Sequence, residues 1–431
     1  MPRRSRALCA TLCAVVLATA LATPRPARSH GDWGHIHVTA WAIENLPPGP
    51  LKDFFRDPGV FNAALYGAAF PDTGYWIAEP ETREFAEYSH WEPFVESFIQ
   101  LVREEHPPPF WSPEEKMMVA FLLGCAAHGL QDEIFDSLFL HQVDERDGHG
   151  QDEADGGTDF FLITDGHHRF TPERYVPLDT VLRLYAEAGL PYEITEDTVV
   201  RSMDALEEVY INDGLGLDLP VSLAPASRET LPWTQHHYLD PDIPGSLVAE
   251  IYPTMRHLEA LWERLHGRWT ADEDLVVHVY PDEGRTLRSP RHGTVDSWVT
   301  MILGKGLSID TAAGALFDPR GGPVASDFTG TRWGHPFPRV LRFQPTEDLA
   351  PSRRYGALLE EGAELIGGEV TTEATRAWFR TGCEEGAPGC GWRPSPRPPR
   401  IDGSARHTAT RSCLATTGAA AARCRARLAK R

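Results

Sequence analysis

The spacing of hydrophobic positions along the chain changes near Thr270. Before that point, apolar residues recur with the three- to four-residue period of amphipathic helices, separated by polar or proline- and glycine-rich connections. After it, short β-type runs such as LVVHVY and RVLRFQP alternate with glycine, proline and aspartate turns. The pattern predicts an all-α domain over residues 30–270, followed by a small all-β sandwich over residues 275–383.

The longest predicted helix begins after Ser112. Ser112 suits the N-cap, Pro113 suits the first helical position, and Glu115 completes a capping box ahead of a long apolar run. Shorter helices are expected around residues 84–105, 178–189, 196–213 and 245–267.

One face of the long helix carries His128, Asp132 and Asp136, which stand at positions i, i+4 and i+8. Burying two carboxylates side by side is costly unless a cation neutralises them. The spacing therefore suits a metal site. The alternative is an exposed polar stripe on an ordinary amphipathic helix.

Four further segments place ligand-type side chains among aromatic and small residues. A lone histidine beside a tryptophan is more often a packed or surface residue than a ligand, but here several such residues occur together. Mixed nitrogen and oxygen ligands without cysteine suit zinc that keeps an open coordination position. The segments are HGDWGH with His30 and His35, YGAAFPD with Asp72, EYSHW with His90, and HGQDE with His149 and Glu153.

Five segments occur along the chain in the order HGDWGH, YGAAFPD, SHW, GCAAHGLQDEIFDSL and HGQDE. Together they resemble the zinc-dependent phospholipase C superfamily. Within it, the sequence is similar to the catalytic domains of glycosylphosphatidylinositol-specific phospholipases D. The fungal single-strand nucleases belong to the same superfamily. The resemblance covers roughly residues 30–210 and implies an α-helical fold with a three-zinc centre. Separately, FQPTEDLAPSRRYGALLEEGAELI resembles the closing strands of bacterial Ig-like modules, so the sandwich is expected to be Ig-like.

The zinc-enzyme resemblance implies three Zn²⁺ ions, with Asp132 bridging two of them, and allows Asp72 to act as the base that orients the attacking water. The family normally has histidine where this chain has Asp136, and His141 with Glu145 is a competing pair for the third ion. The implied ligands are His30, through its α-amine and carbonyl, with His35 for the first ion; Asp72, His90, His128 and Asp132 for its neighbour; and Asp136, His149 and Glu153 for the third.

Residues 1–29 have the three parts of a signal peptide, namely an arginine-rich start, an apolar run and small residues before the cut. A cut after Ser29 would make His30 the N-terminus, and a cut after Ala22 is the alternative. We therefore expect a secreted or periplasmic protein. Residues 384–431 are rich in proline, alanine and arginine, which predicts a disordered basic tail.

Residues 30–383 contain 26 basic and 59 acidic side chains, a net charge of −33, which opposes binding of a polynucleotide. No apolar run after the leader is long enough to span a bilayer. The expected function is a zinc-dependent phosphodiesterase acting on phospholipid or glycosylphosphatidylinositol at a membrane surface. The alternatives are a nuclease of the same fold and a catalytically degenerate zinc-stabilised binding module. C-type and D-type cleavage attack the same phosphorus, so the sequence leaves both open.

Overall fold

The computed structural model describes residues 31–109, 112–208, 214–281, 286–287, 293–330 and 337–381. His30, the predicted signal peptide and the predicted basic tail lie outside the described residues. Within these ranges, no helix combines the length and the apolar character that crossing a bilayer requires.

The N-terminal region is rich in helices, as predicted. The predicted helix over 84–105 is divided in two at Trp91, because Pro93 lacks the N–H that a continuous helix needs and its ring would collide with the preceding turn. The helices are α1 (Asp32–Asn45), α2 (Pro50–Phe54), α3 (Pro58–Ala69), α4 (Pro80–His90), α5 (Glu92–Glu105), α6 (Pro113–Ile134), α7 (Leu140–Asp147), α8 (Gln151–Thr164), α9 (Leu178–Ala188), α10 (Glu196–Leu206), α11 (Gly214–Thr230), α12 (Thr234–His237), α13 (Ile251–Leu265) and α14 (Ala271–Asp274).

Helix α6 runs through the middle of this region. The predicted capping box is confirmed, since Ser112 accepts from the backbone of Glu115 and the Glu115 carboxylate accepts from the backbone of Ser112. At its far end α6 passes into one π-helical turn, Phe135–Phe139, before α7 begins. Such turns are frequent at functional sites, and this one contains Asp136.

The C-terminal region consists of two largely antiparallel sheets, as predicted. One has the order β1-β3-β7-β6, and the other has the order β2-β9-β8-β4-β5, in which only the short β2–β9 pair is parallel. Side chains of both sheets, among them Met301, Phe343, Leu316 and Tyr355, share one apolar core. The strands are β1 (Val276–Tyr280), β2 (Thr286–Leu287), β3 (Val299–Leu303), β4 (Gly314–Phe317), β5 (Pro323–Val324), β6 (Ser326–Thr329), β7 (Val340–Pro345), β8 (Arg354–Leu359) and β9 (Thr375–Thr381).

Helices α3 and α6 cross at two glycines. A Cβ atom on Gly67 would lie 2.2 Å from the backbone oxygen of Phe121, and one on Gly124 would lie 2.1 Å from the backbone oxygen of Ala64. Only glycine permits so close an approach of two backbones. The crossing brings the carbonyl of Ala68 to within 2.7 Å of a ring nitrogen of His128, so it helps to set the geometry of the site described below.

Replacing Gly124 by alanine is expected to destabilise the protein by about 3 kcal/mol or more, because the new methyl group meets backbone rather than a movable side chain. Chemical denaturation measures the change. The matched control is Gly156→Ala in α8, where the nearest contact would be an ordinary 3.8 Å to the Phe160 ring and the change should stay within about 1 kcal/mol. Equal stability of the two variants would contradict the close crossing.

Candidate metal centre

Three histidines and two aspartates from separate elements meet in the helical region. His35 lies on α1, Asp72 on the 3₁₀ turn after α3, His90 at the end of α4, and His128 and Asp132 one turn apart on α6. All five side chains are buried, none being more than 3% exposed. Their ligand atoms form two overlapping groups, in each of which all atoms lie within 4.8 Å of one another: His35, His128 and Asp132, and Asp72, His90 and His128.

Asp132 lies at the centre of the arrangement. Its Oδ1 is 3.0 Å from Nε2 of His35, and its Oδ2 is 3.2 Å from Nε2 of His128 and 3.6 Å from Nε2 of His90. Nε2 of His90 also lies 3.2 Å from Oδ1 of Asp72. One carboxylate thus contacts all three imidazoles, which is the geometry expected of a bridging ligand.

The second nitrogen of each imidazole is held by an oxygen atom. Nδ1 of His90 lies 2.5 Å from the carbonyl of Ala86, Nδ1 of His128 contacts the carbonyl of Ala68, and Nδ1 of His35 lies 2.9 Å from Oε1 of Gln131. Since a carbonyl only accepts, the Nδ1 atoms of His90 and His128 carry the proton. In a neutral ring of this kind, the Nε2 lone pair points at a carboxylate oxygen. Two such electron-rich atoms repel each other unless a cation lies between them. The residues therefore fit a metal.

The titration of these groups reflects their mutual neutralisation. Burial acts to lower the pKa of His90, but the hydrogen bond to Asp72 and the charge of Asp132 raise it to about 9. Burial opposes ionisation of Asp72, yet His128 and His90 bring its pKa to about 2. Burial and the neighbouring His35 lower the pKa of His128. Without a cation, a proton on His90 offsets the carboxylates, and a metal ion has to displace that proton.

A second group of oxygen ligands adjoins Asp132. Nε2 of Gln151 donates to Oδ1 of Asp136 at 3.4 Å, and Asp155 follows Gln151 by four residues on α8. The Asp155 side chain is buried, and within the described part of the chain neither of its carboxylate oxygens has a hydrogen-bond partner. Burial and the charges of Asp136 and Asp132 raise the pKa of Asp155 well above its usual range. Asp136, Gln151 and Asp155 thus form a group of oxygen ligands beside Asp132.

The predicted ligands of the third ion are placed differently from those of the first two. His149 is half-buried just before α8, and Glu153 is exposed on its first turn. Neither belongs to the two groups of described residues whose ligand atoms converge. Gln151 and Asp155 have the same i, i+4 spacing, but the sequence analysis missed them because glutamine is an uncommon zinc ligand. His149 and Glu153 remain predicted ligands.

The competing pair for the third ion lies at the boundary with the C-terminal sheets. Nη1 of Arg342 on β7 is 3.1 Å from Nε2 of His141, and the Arg342 guanidinium stacks over Trp298. The backbone N–H of Val295 donates to Glu145 at 3.2 Å. Both members of the pair therefore take part in contacts between the two regions.

Asp159 is a further buried residue that the sequence analysis did not single out. It accepts from the backbone of Trp33 at 3.1 Å and of Gly34 at 2.8 Å, at the start of α1. Burial raises the pKa of Asp159 to about 7, although those two N–H groups act to lower it. A Cβ on Gly31 would lie 2.1 Å from this carboxylate. Asp159 thus ties the beginning of α1, and with it His35, to α8.

Comparison with known proteins identifies the class to which the helical site belongs. The family model described as zinc dependent phospholipase C matches residues 34–170. That segment contains both groups of converging ligands, and the match supports a zinc-dependent phospholipase C/D domain at this site. The match supports Zn²⁺ as the metal and a hydrolase of phospholipid type.

Among curated proteins, the similarity is to phosphatidylinositol-glycan-specific phospholipases D. The rat enzyme (Rattus norvegicus) is 29% identical over 147 residues, which are 31% of this chain and 17% of the relative. The human enzyme (Homo sapiens) is 29% identical over 181 residues, which are 38% of this chain and 21% of the relative. The chain therefore spans about a fifth of the length of these relatives.

The similarity to solved structures is weak. CopC from Methylosinus trichosporium OB3b covers 26% of the chain at 18% identity with a TM-score of 0.21. Domains 1–6 of the surface layer protein SbsC cover 81% of it at 10% identity with a TM-score of 0.19. At such scores the likeness carries no argument about this protein.

Proposed function

We propose that the protein is a secreted or periplasmic zinc-dependent phosphodiesterase that hydrolyses phospholipids or glycosylphosphatidylinositol at a membrane surface. The observation that carries the proposal is the buried cluster of three imidazoles around Asp132, in which each Nδ1 is held by an oxygen and each Nε2 faces a carboxylate. Such outer contacts fix the orientation of zinc-ligating histidines. The matched family and the similarity to the phospholipases D support the same class of reaction.

The proposed centre would hold three ions. The contacts of Asp132 with all three imidazoles support its role as the bridge between the first two. The first ion would also take the α-amine and carbonyl of His30, provided that the leader is cut after Ser29. For the third ion we propose Asp136 with His149 and Glu153. Two other oxygen ligands, Gln151 and Asp155, lie against Asp136 and would suit an ion held mainly by oxygen.

The bound ions would lower the pKa of a bound water towards about 7 and neutralise the phosphate oxygens. Asp72 is proposed to orient that water. Its Oδ1 is held by His90, while its Oδ2 is buried and has no hydrogen-bond partner among the described residues. With a pKa of about 2, Asp72 is a weak base, so it would align the water rather than retain its proton.

A substrate panel tests the function. The secreted protein, zinc-loaded or treated with a chelator, is incubated with phosphatidylcholine, phosphatidylinositol, a glycosylphosphatidylinositol-anchored protein and single-stranded DNA. Zinc-dependent release of a lipid product is expected, and its identity as diacylglycerol or phosphatidate separates C-type from D-type cleavage. Cleavage of DNA alone would replace the proposal with the nuclease. Zinc binding without any hydrolysis would indicate the binding module.

The domain boundaries follow from the same proposal. Residues 1–29 would be the signal peptide, 30–270 the catalytic domain, 275–383 an Ig-like sandwich and 384–431 the basic tail. The shared apolar core of the two C-terminal sheets supports the sandwich.

Replacing Asp136 by histidine is expected to raise zinc occupancy at the third position. Imidazole is a better ligand for zinc than a carboxylate, and it would remove one negative charge from beside Asp155. Metal analysis after dialysis against dilute zinc measures the gain. The control is Asp144→Asn, an exposed carboxylate on α7 whose change should leave the zinc content as it was. Unchanged zinc in Asp136→His would argue against Asp136 as a ligand.

A further inference from the structure

Arg339 passes from the C-terminal sheets into the helical region and is fully buried there. It immediately precedes β7. Its Nε donates to Oε1 of Glu133 at 2.8 Å, and its backbone N–H donates to Oε2 of the same carboxylate at 2.7 Å. The backbone N–H of Val340 adds a third hydrogen bond to Oε2 at 3.2 Å. The start of one strand is thereby fixed to a single glutamate of α6.

The same guanidinium contacts a second acidic residue of the helical region. Nη1 of Arg339 is 3.4 Å from Oε2 of Glu92, the first residue of α5, and 3.3 Å from the carbonyl of Ala126. The other oxygen of Glu92 lies 2.8 Å from Arg264 on α13. Arg339 therefore joins α6 to the start of α5 in an environment from which water is excluded.

Both partners of Arg339 stand next to proposed zinc ligands in the sequence. Glu133 follows Asp132 directly, and Glu92 comes two residues after His90. Successive residues of a helix point about 100° apart, so Asp132 faces the metal centre while Glu133 faces the sheets. The arginine consequently holds the two ligand-bearing segments through side chains other than the ligands themselves.

The backbone of α6 at Gly129 packs tightly against the α4–α5 junction at His90. A Cβ on Gly129 would lie 1.9 Å from the backbone oxygen of His90 and 2.9 Å from Nη2 of Arg339. Small displacements of Arg339 or of the α4–α5 junction would therefore be passed to the backbone of α6 at Gly129, which directly follows His128 and precedes Asp132 by three residues. The spacing between Nε2 of His90 and Oδ2 of Asp132, 3.6 Å, is set across this junction.

We propose that Arg339 is a positioning residue of the metal centre, through which the C-terminal sheets set the separation of His90 and Asp132. On this proposal the C-terminal region is an integral part of the zinc site and not an independent binding module. The inference rests on the proposed zinc-dependent function. The positioning role is distinct from that function, since zinc could bind without any contribution from the sheets.

Zinc affinity, measured by competition with a chromogenic chelator, tests the role directly in the full-length secreted protein. Arg339→Met should weaken zinc binding by about 10-fold or more, the range known for residues that orient metal ligands. Arg339→Lys keeps the charge but loses the planar fork, so it should restore affinity in part. The visible spectrum of the Co²⁺-substituted protein should change in Arg339→Met, because it reports ligand geometry.

Two further variants separate positioning from stability. The double variant Glu133→Gln, Arg339→Met leaves no unpaired buried charge at this contact, so it should recover thermal stability without recovering zinc affinity. Arg342→Met is the matched control, a buried arginine three residues further along, within β7, that contacts His141 and Trp298. It should lower stability but leave zinc affinity within about twofold, well short of the 10-fold loss expected above.

The outcomes distinguish failure of the proposed function from failure of the positioning role. If the wild-type protein binds no zinc, the proposed function fails. If it binds zinc and the Arg339 variants bind it equally well with unchanged Co²⁺ spectra, the positioning role is overturned. Recovery of zinc affinity in the double variant, or an equal loss in Arg342→Met, would also overturn it, since either result would show that only general stability had changed.

Discussion

Replacing Asp132 by asparagine is expected to remove about two zinc ions per chain and to lower kcat/KM by more than about 100-fold. That loss exceeds the roughly 10- to 100-fold loss expected when a residue that only orients a metal ligand is replaced. Asparagine has the same size but lacks the charge. Its amide cannot neutralise a cation while facing His35, His90 and His128, whose Nε2 atoms surround the carboxylate at 3.0 to 3.6 Å. Metal analysis and phosphodiesterase assays measure the two effects.

Thermal unfolding provides a third readout of the same variant. Zinc that binds only the folded state stabilises it, so the wild-type protein should lose stability on chelation and Asp132→Asn should lose much less. The exposed Asp144→Asn serves again as the control, with unchanged zinc, activity and unfolding. A fully active Asp132→Asn protein with its normal zinc content would exclude the bridging role.

Sequence predicts those parts of this centre that depend on residues close together in the chain or on a short motif. His128 and Asp132 share a helical face by their i, i+4 spacing, and the capping box at Ser112 fixed where that helix begins. Asp72, His90 and His35 were recognised by resemblance to family motifs. The structure brings these five side chains together from four separate elements.

The remaining features depend on contacts between distant segments. Gln131 orients His35 across 96 residues, and Asp159 holds the start of α1 across 125 residues. No periodicity in the sequence reports such contacts. The same holds for Arg339, which lies in an ordinary strand pattern yet reaches Glu133 across 206 residues. Near Asp136, the pairs His149/Glu153 and Gln151/Asp155 have the same i, i+4 spacing and lie two residues apart in the sequence. Only the packing of α8 shows that the Gln151 side chain contacts Asp136.

The affinity for zinc should rise steeply with pH. The metal-free protein holds a proton on His90 because its pKa is raised to about 9, and zinc binding has to displace that proton. Below pH 9 the apparent affinity should therefore fall by about tenfold for each unit of pH. The pKa of His35 is also raised, despite burial, by Asp132, so the dependence should become steeper at lower pH.

The metal-free protein should show the opposite trend. A folded-state pKa above the unfolded value means that His90 contributes stability that is fully present below pH 6.5 and is lost as pH rises towards 9. Between these limits, rising pH should weaken the metal-free fold and strengthen zinc binding. Chelator competition and thermal unfolding at pH 6, 7 and 8 measure both slopes, and calorimetry in two buffers counts the protons released. His106→Asn removes a half-exposed histidine outside the centre and should alter neither slope. A zinc affinity independent of pH would mean that His90 and His35 are already neutral before the metal binds, and that the buried carboxylates are balanced in another way.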